Sequence, residues 1–214
     1  NAAVWGDLTT ARNHAGDMGN STRCLSHDAI APSNVTVDYI TWATKGNAVD
    51  FGDASVSRSQ CGSGSSTTRG YLYGGATGPS EIASIDYFTI GSTGNATDFG
   101  DISSGAQSNA QGGSSSTRGV HGGGYNSSDQ LVNIISYITI ASTGDSTDFG
   151  DLTVARSDHA GASNGIRAGF FQGNGDQTTC DFVTIATTGN AADFGDTTIV
   201  GRNARAIAEG HGGL

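Results

Sequence analysis

Apolar and polar residues alternate along this chain in short bursts, and no stretch carries the three-to-four-residue period of a helix face. The segment 136–173 shows the pattern in full. Tyr137-Ile138-Thr139-Ile140 alternates and is aromatic and β-branched, which predicts a strand. Ser142-Thr143-Gly144-Asp145 predicts a turn, and Asp148 to Val154 a second strand with a bulge at Gly150. Arg156-Ser157-Asp158 predicts another turn, and His159 to Ala162 a short strand of small residues. Asn164-Gly165 is a hairpin signal, with a fourth strand expected over Arg167 to Phe171.

This unit recurs. The tetrapeptide Asp-Phe-Gly-Asp ends at Asp53, Asp101, Asp151 and Asp196, and Val4-Trp5-Gly6-Asp7 is a degenerate fifth copy. Successive copies end 46, 48, 50 and 45 residues apart. A period of this size belongs to solenoids, propellers and arrays. Asp-Phe-Gly is also a kinase metal-binding signature, but a kinase carries it once. Four short antiparallel strands per repeat suit a propeller blade. The expected fold is therefore all-β: one propeller domain over 1–214, with repeats at about 1–46, 47–94, 95–144 and 145–189 and a half repeat at 190–214. The small-residue strand belongs innermost. The strand bearing Phe51, Phe99, Phe149 and Phe194 belongs outermost, its aromatics packing between blades. An N-terminal outer strand (Ala3 to Thr10) and a C-terminal inner strand (Arg205 to Glu209) would meet in an incomplete fifth blade, the expected site of subunit contact.

Composition narrows the function. Gly is abundant (34 residues), Pro is scarce (2), and charged residues are only 14% of the chain. The formal net charge of −10 argues against a nucleic-acid partner, which needs clustered Lys and Arg. No apolar run approaches a membrane span. Nine of the 18 Asp lie in the tetrapeptide copies. Asp53, Asp101, Asp151 and Asp196 are read as structural acceptors for turn backbone rather than as calcium ligands, because the chain has no Asp-x-Asp-x-Asp-Gly loop. Neither cofactor nor metal is predicted. Cys24, Cys61 and Cys180 fall at three different repeat positions and are read as small buried apolar residues.

Eight of nine arginines occupy two repeat positions: Arg12, Arg58, Arg156 and Arg202, and Arg23, Arg69, Arg118 and Arg167. Two readings compete, Arg–Asp pairs that hold the blades and a ring of anion-binding groups. The first expects Arg118 and Arg167 to be buried against repeat Asp residues.

Length varies mainly between the second arginine and the next Asp or Ser, at 15, 17, 18 and 14 residues. The variable parts are the loops His27–Asn34, Gly74–Glu81, Gly123–Gln130 and Gly173–Thr178. Variable loops on a fixed scaffold carry recognition, or simply drift. Candidate binding residues in them are His27, Asp28, Tyr73, Thr77, Tyr125, Asn126, Asp129, Asn174 and Asp176. Tyr71 and Trp42 are further aromatic candidates.

The strand order, with Thr117-Arg118-Gly119-Val120-His121-Gly122-Gly123 as its best double-glycine strand, resembles the kelch propeller repeat. Trp5 stands where kelch blades carry Trp. The wording of residues 85–101 and the closing His211-Gly212-Gly213-Leu214 look like a kelch-like family of marine tailed-phage genomes. The resemblance covers nearly the whole chain and implies no catalytic residues. It implies a virion protein, such as a fibre, head-decoration or tail-associated module, recognising a host glycan or protein and contacting other virion proteins or further copies of itself. A purely structural subunit and a propeller glycosidase or lyase are the competing expectations.

Overall fold

The computed structural model describes residues 4–12, 16–27, 35–174 and 177–201. Among them there is no helix, and twenty strands form small antiparallel sheets. The first sheet holds β1 (Asp17–Gly19), β2 (Arg23–His27), β3 (Thr36–Thr41) and β4 (Val49–Asp53) in that order. The second holds β5 (Gly62–Ser65), β6 (Arg69–Tyr73), β9 (Ser84–Thr89) and β10 (Thr97–Asp101), with β7 (Ala76–Thr77) and β8 (Ser80–Glu81) forming a hairpin in its loop. The third holds β12 (Gln111–Ser114), β13 (Arg118–Gly122), β15 (Ile134–Thr139) and β16 (Thr147–Asp151). Beside it β11 (Gln107–Ser108) pairs with β14 (Tyr125–Asn126). The fourth holds β17 (Ala160–Ser163), β18 (Arg167–Phe171), β19 (Thr179–Thr184) and β20 (Ala192–Asp196).

Each sheet is thus a four-stranded meander that takes three strands from one repeat and its outer strand, with the Phe, from the next, and strand positions lie close to those the alternation predicts. The bulge falls where Gly150 marks it. Register shifts opposite Phe51, Phe99, Phe149 and Phe194 in all four sheets. A following glycine at φ between +125° and +146° turns the strand there.

The cores lie between sheets. Phe51 packs with Phe88 and Ile90 of the next sheet, Phe99 with Ile138 and Ile140, and Phe149 with Val183 and Ile185. Two sets of hydrogen bonds repeat at each of these junctions. The Gly94, Gly144 and Gly189 N–H groups donate to the Phe51, Phe99 and Phe149 carbonyls, each at 2.7 Å. The Asp53, Asp101 and Asp151 N–H groups donate to the side-chain oxygens of Asn95, Asp145 and Asn190. The segment before β1 repeats the clasp on the first sheet: Gly46 donates to the Trp5 carbonyl at 3.1 Å and Asp7 N–H to Asn47 Oδ1. Residues 4–10 form this clasp without a strand ladder, so the predicted N-terminal outer strand is a docked segment.

The small-residue strands meet one another, as close approach requires. A serine ladder runs along them. Ser65 Oγ donates to Gly19 O at 2.7 Å, Ser114 Oγ to Ser65 O at 2.9 Å and Ser163 Oγ to Ser114 O at 2.8 Å. Each of these hydroxyls also accepts from the N–H of the same residue in the preceding sheet. One side chain therefore satisfies two edge groups that would otherwise stay unpaired.

A Cβ at Gly150 would lie 2.5 Å from the Gly189 backbone, whereas one at Gly195 would meet nothing within 4 Å. Both glycines have positive φ. Gly150→Ala is expected to cost about 3 kcal/mol or more, and Gly195→Ala only the backbone share of about 1–2 kcal/mol. Urea unfolding of the two variants checks the difference.

Candidate binding face

In a four-stranded meander the connection between the second and third strands leaves from the end opposite the two tight hairpins. That end also receives the connector from the preceding sheet. The loops of variable length therefore share an end with the arginine-bearing connectors, and the connectors hold them.

Arg12, Arg58 and Arg156 stand on these connectors. Arg58 Nη2 meets Asp86 Oδ2 at 2.9 Å, and Arg12 Nη2 meets Asp38 Oδ2 at 2.5 Å. Arg156 Nη2 pairs with Asp181 in the same way. The carboxylates are fully buried. Each also accepts from the backbone and hydroxyl of a connector residue: Thr9 to Asp38, Ser55 to Asp86, Thr153 to Asp181. The cation then donates to loop backbone, as Arg58 does to Gly74 O and Ser84 O at 3.1 and 2.9 Å. Burial lowers the Arg156 guanidinium and Asp181 opposes that shift.

The expected pairing of Arg118 and Arg167 with Asp is corrected. Arg23, Arg69, Arg118 and Arg167 lie over the rings of Tyr39, Tyr87, Tyr137 and Phe182 at 4.3–4.8 Å. Arg23, Arg69 and Arg118 also donate to the carbonyls of Ile90, Ile140 and Ile185 in the next sheet. They start a strand at the hairpin end, where an aromatic face on the neighbouring strand is within reach and the buried carboxylate is not. Arg118 is half-buried and Arg167 exposed.

The tetrapeptide aspartates are also placed differently from their reading as side-chain acceptors. At the three internal junctions Asp53, Asp101 and Asp151 use their backbone N–H groups, and the following turn supplies the acceptor. Asp196 Oδ1 does accept, from the Thr178 hydroxyl. Among the described residues no group of three or more His, Cys, Asp or Glu is placed to hold a metal ion. Cys61 and Cys180 are buried, Cys24 is half-buried, and none forms a disulfide.

The loops differ in build. In the second sheet β7 and β8 form a hairpin with Thr77 exposed at its tip beside Gly78 and Pro79. In the third, Asn126 Oδ1 accepts from Ser128 and Gln130 N–H, and Asp129 adopts φ +55°. Ser127 to Gln130 are exposed. Asn174 of the fourth loop donates through Nδ2 to the Tyr125 hydroxyl at 2.5 Å, which joins the third and fourth loops. Thr77, Tyr125, Asn126, Asp129 and Asn174 thus lie on the loops. Asp28 and Asp176 lie outside the described residues.

His27 and Tyr73 are corrected, because both are buried. They close the second strand of their sheets, and Tyr73 faces the neighbouring sheet. Tyr73 stacks on His121 at 4.6 Å, and its hydroxyl sits beside Ser136 and Ser146. Tyr71 is buried as well, its hydroxyl 3.0 Å from His121 Nε2. Trp42 is exposed at the hairpin end of the first sheet, away from the loops, and its Nε1 donates to Asn20 O.

His121 and His159 are buried side by side. Burial lowers His121 to about 3, and the neighbouring His159 adds to it. Burial also lowers His159 to about 3, helped by Arg156. Both are therefore neutral core residues. The sequence signal for them is weak, since neither recurs. The serine ladder, by contrast, carries a signal in the 49-residue spacing of Ser65, Ser114 and Ser163.

A scan against protein-family models and a search of curated proteins both returned no match.

Proposed function

We propose that the four sheets are blades of a kelch-like β-propeller and that the protein is a non-enzymatic, virion-exposed binding module. It recognises a host surface glycan or protein through the loop end. The observation that carries this reading is the division of labour along the repeat. The spans 38–53, 86–101, 136–151 and 181–196 are equal in length, whereas the loops vary in length and build, and the third and fourth are linked through Tyr125 and Asn174. The loops of the second to fourth sheets carry no Lys or Arg, only hydroxyl, amide and carboxylate groups beside Tyr125. Such a rim suits a neutral, hydroxyl-rich ligand rather than a polyanion. Individual contacts of this kind are weak, and several loops or several copies supply avidity.

A glycan array with intact protein, followed by Tyr125→Ala, tests the reading. Binding of a neutral glycan is expected, with at least a tenfold loss in the variant and an unchanged melting temperature. A folded protein that binds no glycan or host surface, or that degrades a polysaccharide, would contradict it. A second reading, an assembly subunit without a ligand, is favoured by the exposed aromatic end of the fourth sheet.

A further inference from the structure

We infer that the open junction of the fourth sheet is a docking surface for a second copy of this chain, whose first sheet receives β20 in exchange for its own Trp5-Gly6-Asp7. The inference does not depend on the loop ligand.

Among the described residues the outer motif occurs five times and the turns that dock it four times. The turns at Gly46, Gly94, Gly144 and Gly189 take Trp5, Phe51, Phe99 and Phe149 in order. The fifth copy, on β20, is left over. Its Phe194 is 69% exposed, whereas Phe51, Phe99 and Phe149 are 2–3% exposed. Gly195 has open space where Gly6, Gly52, Gly100 and Gly150 touch the next turn. Arg167 covers Phe182 as its counterparts cover Tyr39, Tyr87 and Tyr137, and it is more exposed than they are.

The first sheet shows the complementary defect. Ile40 and Trp42 occupy the positions of Phe88 and Ile90, of Ile138 and Ile140, and of Val183 and Ile185. Those six are buried, whereas Ile40 is half-buried and Trp42 is 47% exposed. The segment now docked there is the weaker of two copies. Val4, Trp5 and Leu8 stay exposed, and residues 4–10 pair in no ladder. β20 is already held against β19, so little ordering remains to oppose its docking. Trp5-Gly6-Asp7 and Phe194-Gly195-Asp196 are the same motif, so they compete for one dock.

In the exchanged junction the second copy's Gly46 N–H bonds the Phe194 carbonyl. The Asp196 N–H meets its Asn47, and Arg167 gains the Trp42 carbonyl. Phe194 is covered by Ile40 and Trp42. The serine clip is not made, because Gly19 stands at the ladder position of the first sheet. Each copy offers one end of each kind, so the contact is head-to-tail and yields rings or filaments.

Sedimentation across a concentration series tests this with the full chain and two variants. A Cβ at Gly6 would lie 2.0 Å from the Gly46 carbonyl oxygen, so Gly6→Val expels the chain's own segment and empties the dock. Gly6→Val is expected to self-associate at least tenfold more tightly than the natural chain. Adding Phe194→Ser, a change at an exposed side chain, is expected to return it to monomer. A Gly6→Val protein that stays monomeric at every concentration, or that associates equally well with Phe194→Ser, overturns the inference.

Discussion

Replacing Arg58 by alanine is expected to destabilise the protein by about 3–5 kcal/mol, because it leaves the fully buried Asp86 carboxylate without its cation. The guanidinium also holds Gly74 O, Ser84 O and Ser84 Oγ, so the variant strips several buried acceptors at once. The third sheet shows how the loss is relieved. There Gln107 stands for the arginine and Ser136 for the aspartate, and Gln107 Nε2 donates to Ser104 Oγ. The double variant Arg58→Gln, Asp86→Ser copies that solution. It is expected to recover about 2 kcal/mol over the arginine variant alone, since no charge is left buried and unpaired. Urea unfolding of single and double variants reads both numbers. Additive losses would mean that the two residues act separately.

Acid is expected to unfold the protein well above the carboxylate range. His121 and His159 are held near 3 in the folded chain and titrate at about 6.5 once unfolded. A histidine whose folded value is depressed takes up its proton only on unfolding. Stability is therefore unaffected above pH 6.5, falls as pH drops below it, and goes on falling towards 3. Between pH 6.5 and 5 each histidine removes about 1.7 kcal/mol, or about 3.3 kcal/mol for the pair. Tyr71, Tyr73 and Arg156 face the two rings, and none of them supplies an anion to hold an imidazolium at neutral pH. His159→Phe should roughly halve the slope, its ring joining Phe170. Equal stability of the natural chain at pH 6.5 and 5 would refute this.

Much of the repeat is legible in the sequence because its signals are local. Alternation marks β15, Gly150 marks the bulge, Asn164 and Gly165 mark the β17–β18 hairpin, and the repeated Phe marks the core between sheets. The small-residue strands announce close approach, and Ser65, Ser114 and Ser163 show why. What stays hidden depends on partners far apart in the chain. Both arginine sets recur equally, so recurrence alone does not say which one meets a carboxylate. The third repeat carries the clue, since Gln107 departs from arginine in the same unit in which Ser136 departs from aspartate. The loop residues are legible as loops, but His27 and Tyr73 sit at the last strand position, where the same composition serves the core. His121 and His159 give no periodic sign, and only packing brings them together.

Native-state hydrogen exchange tests most directly whether the sheets are built as one array through their junctions, leaving the loops to vary. The amides of Gly94, Gly144 and Gly189, which cross from sheet to sheet, should exchange as slowly as strand amides inside the sheets, while Gly78 and Ser127 in the loops exchange at nearly free rates. Crossing amides that exchange as fast as the loops would mean that the sheets open independently and that the junctions do not hold the array together.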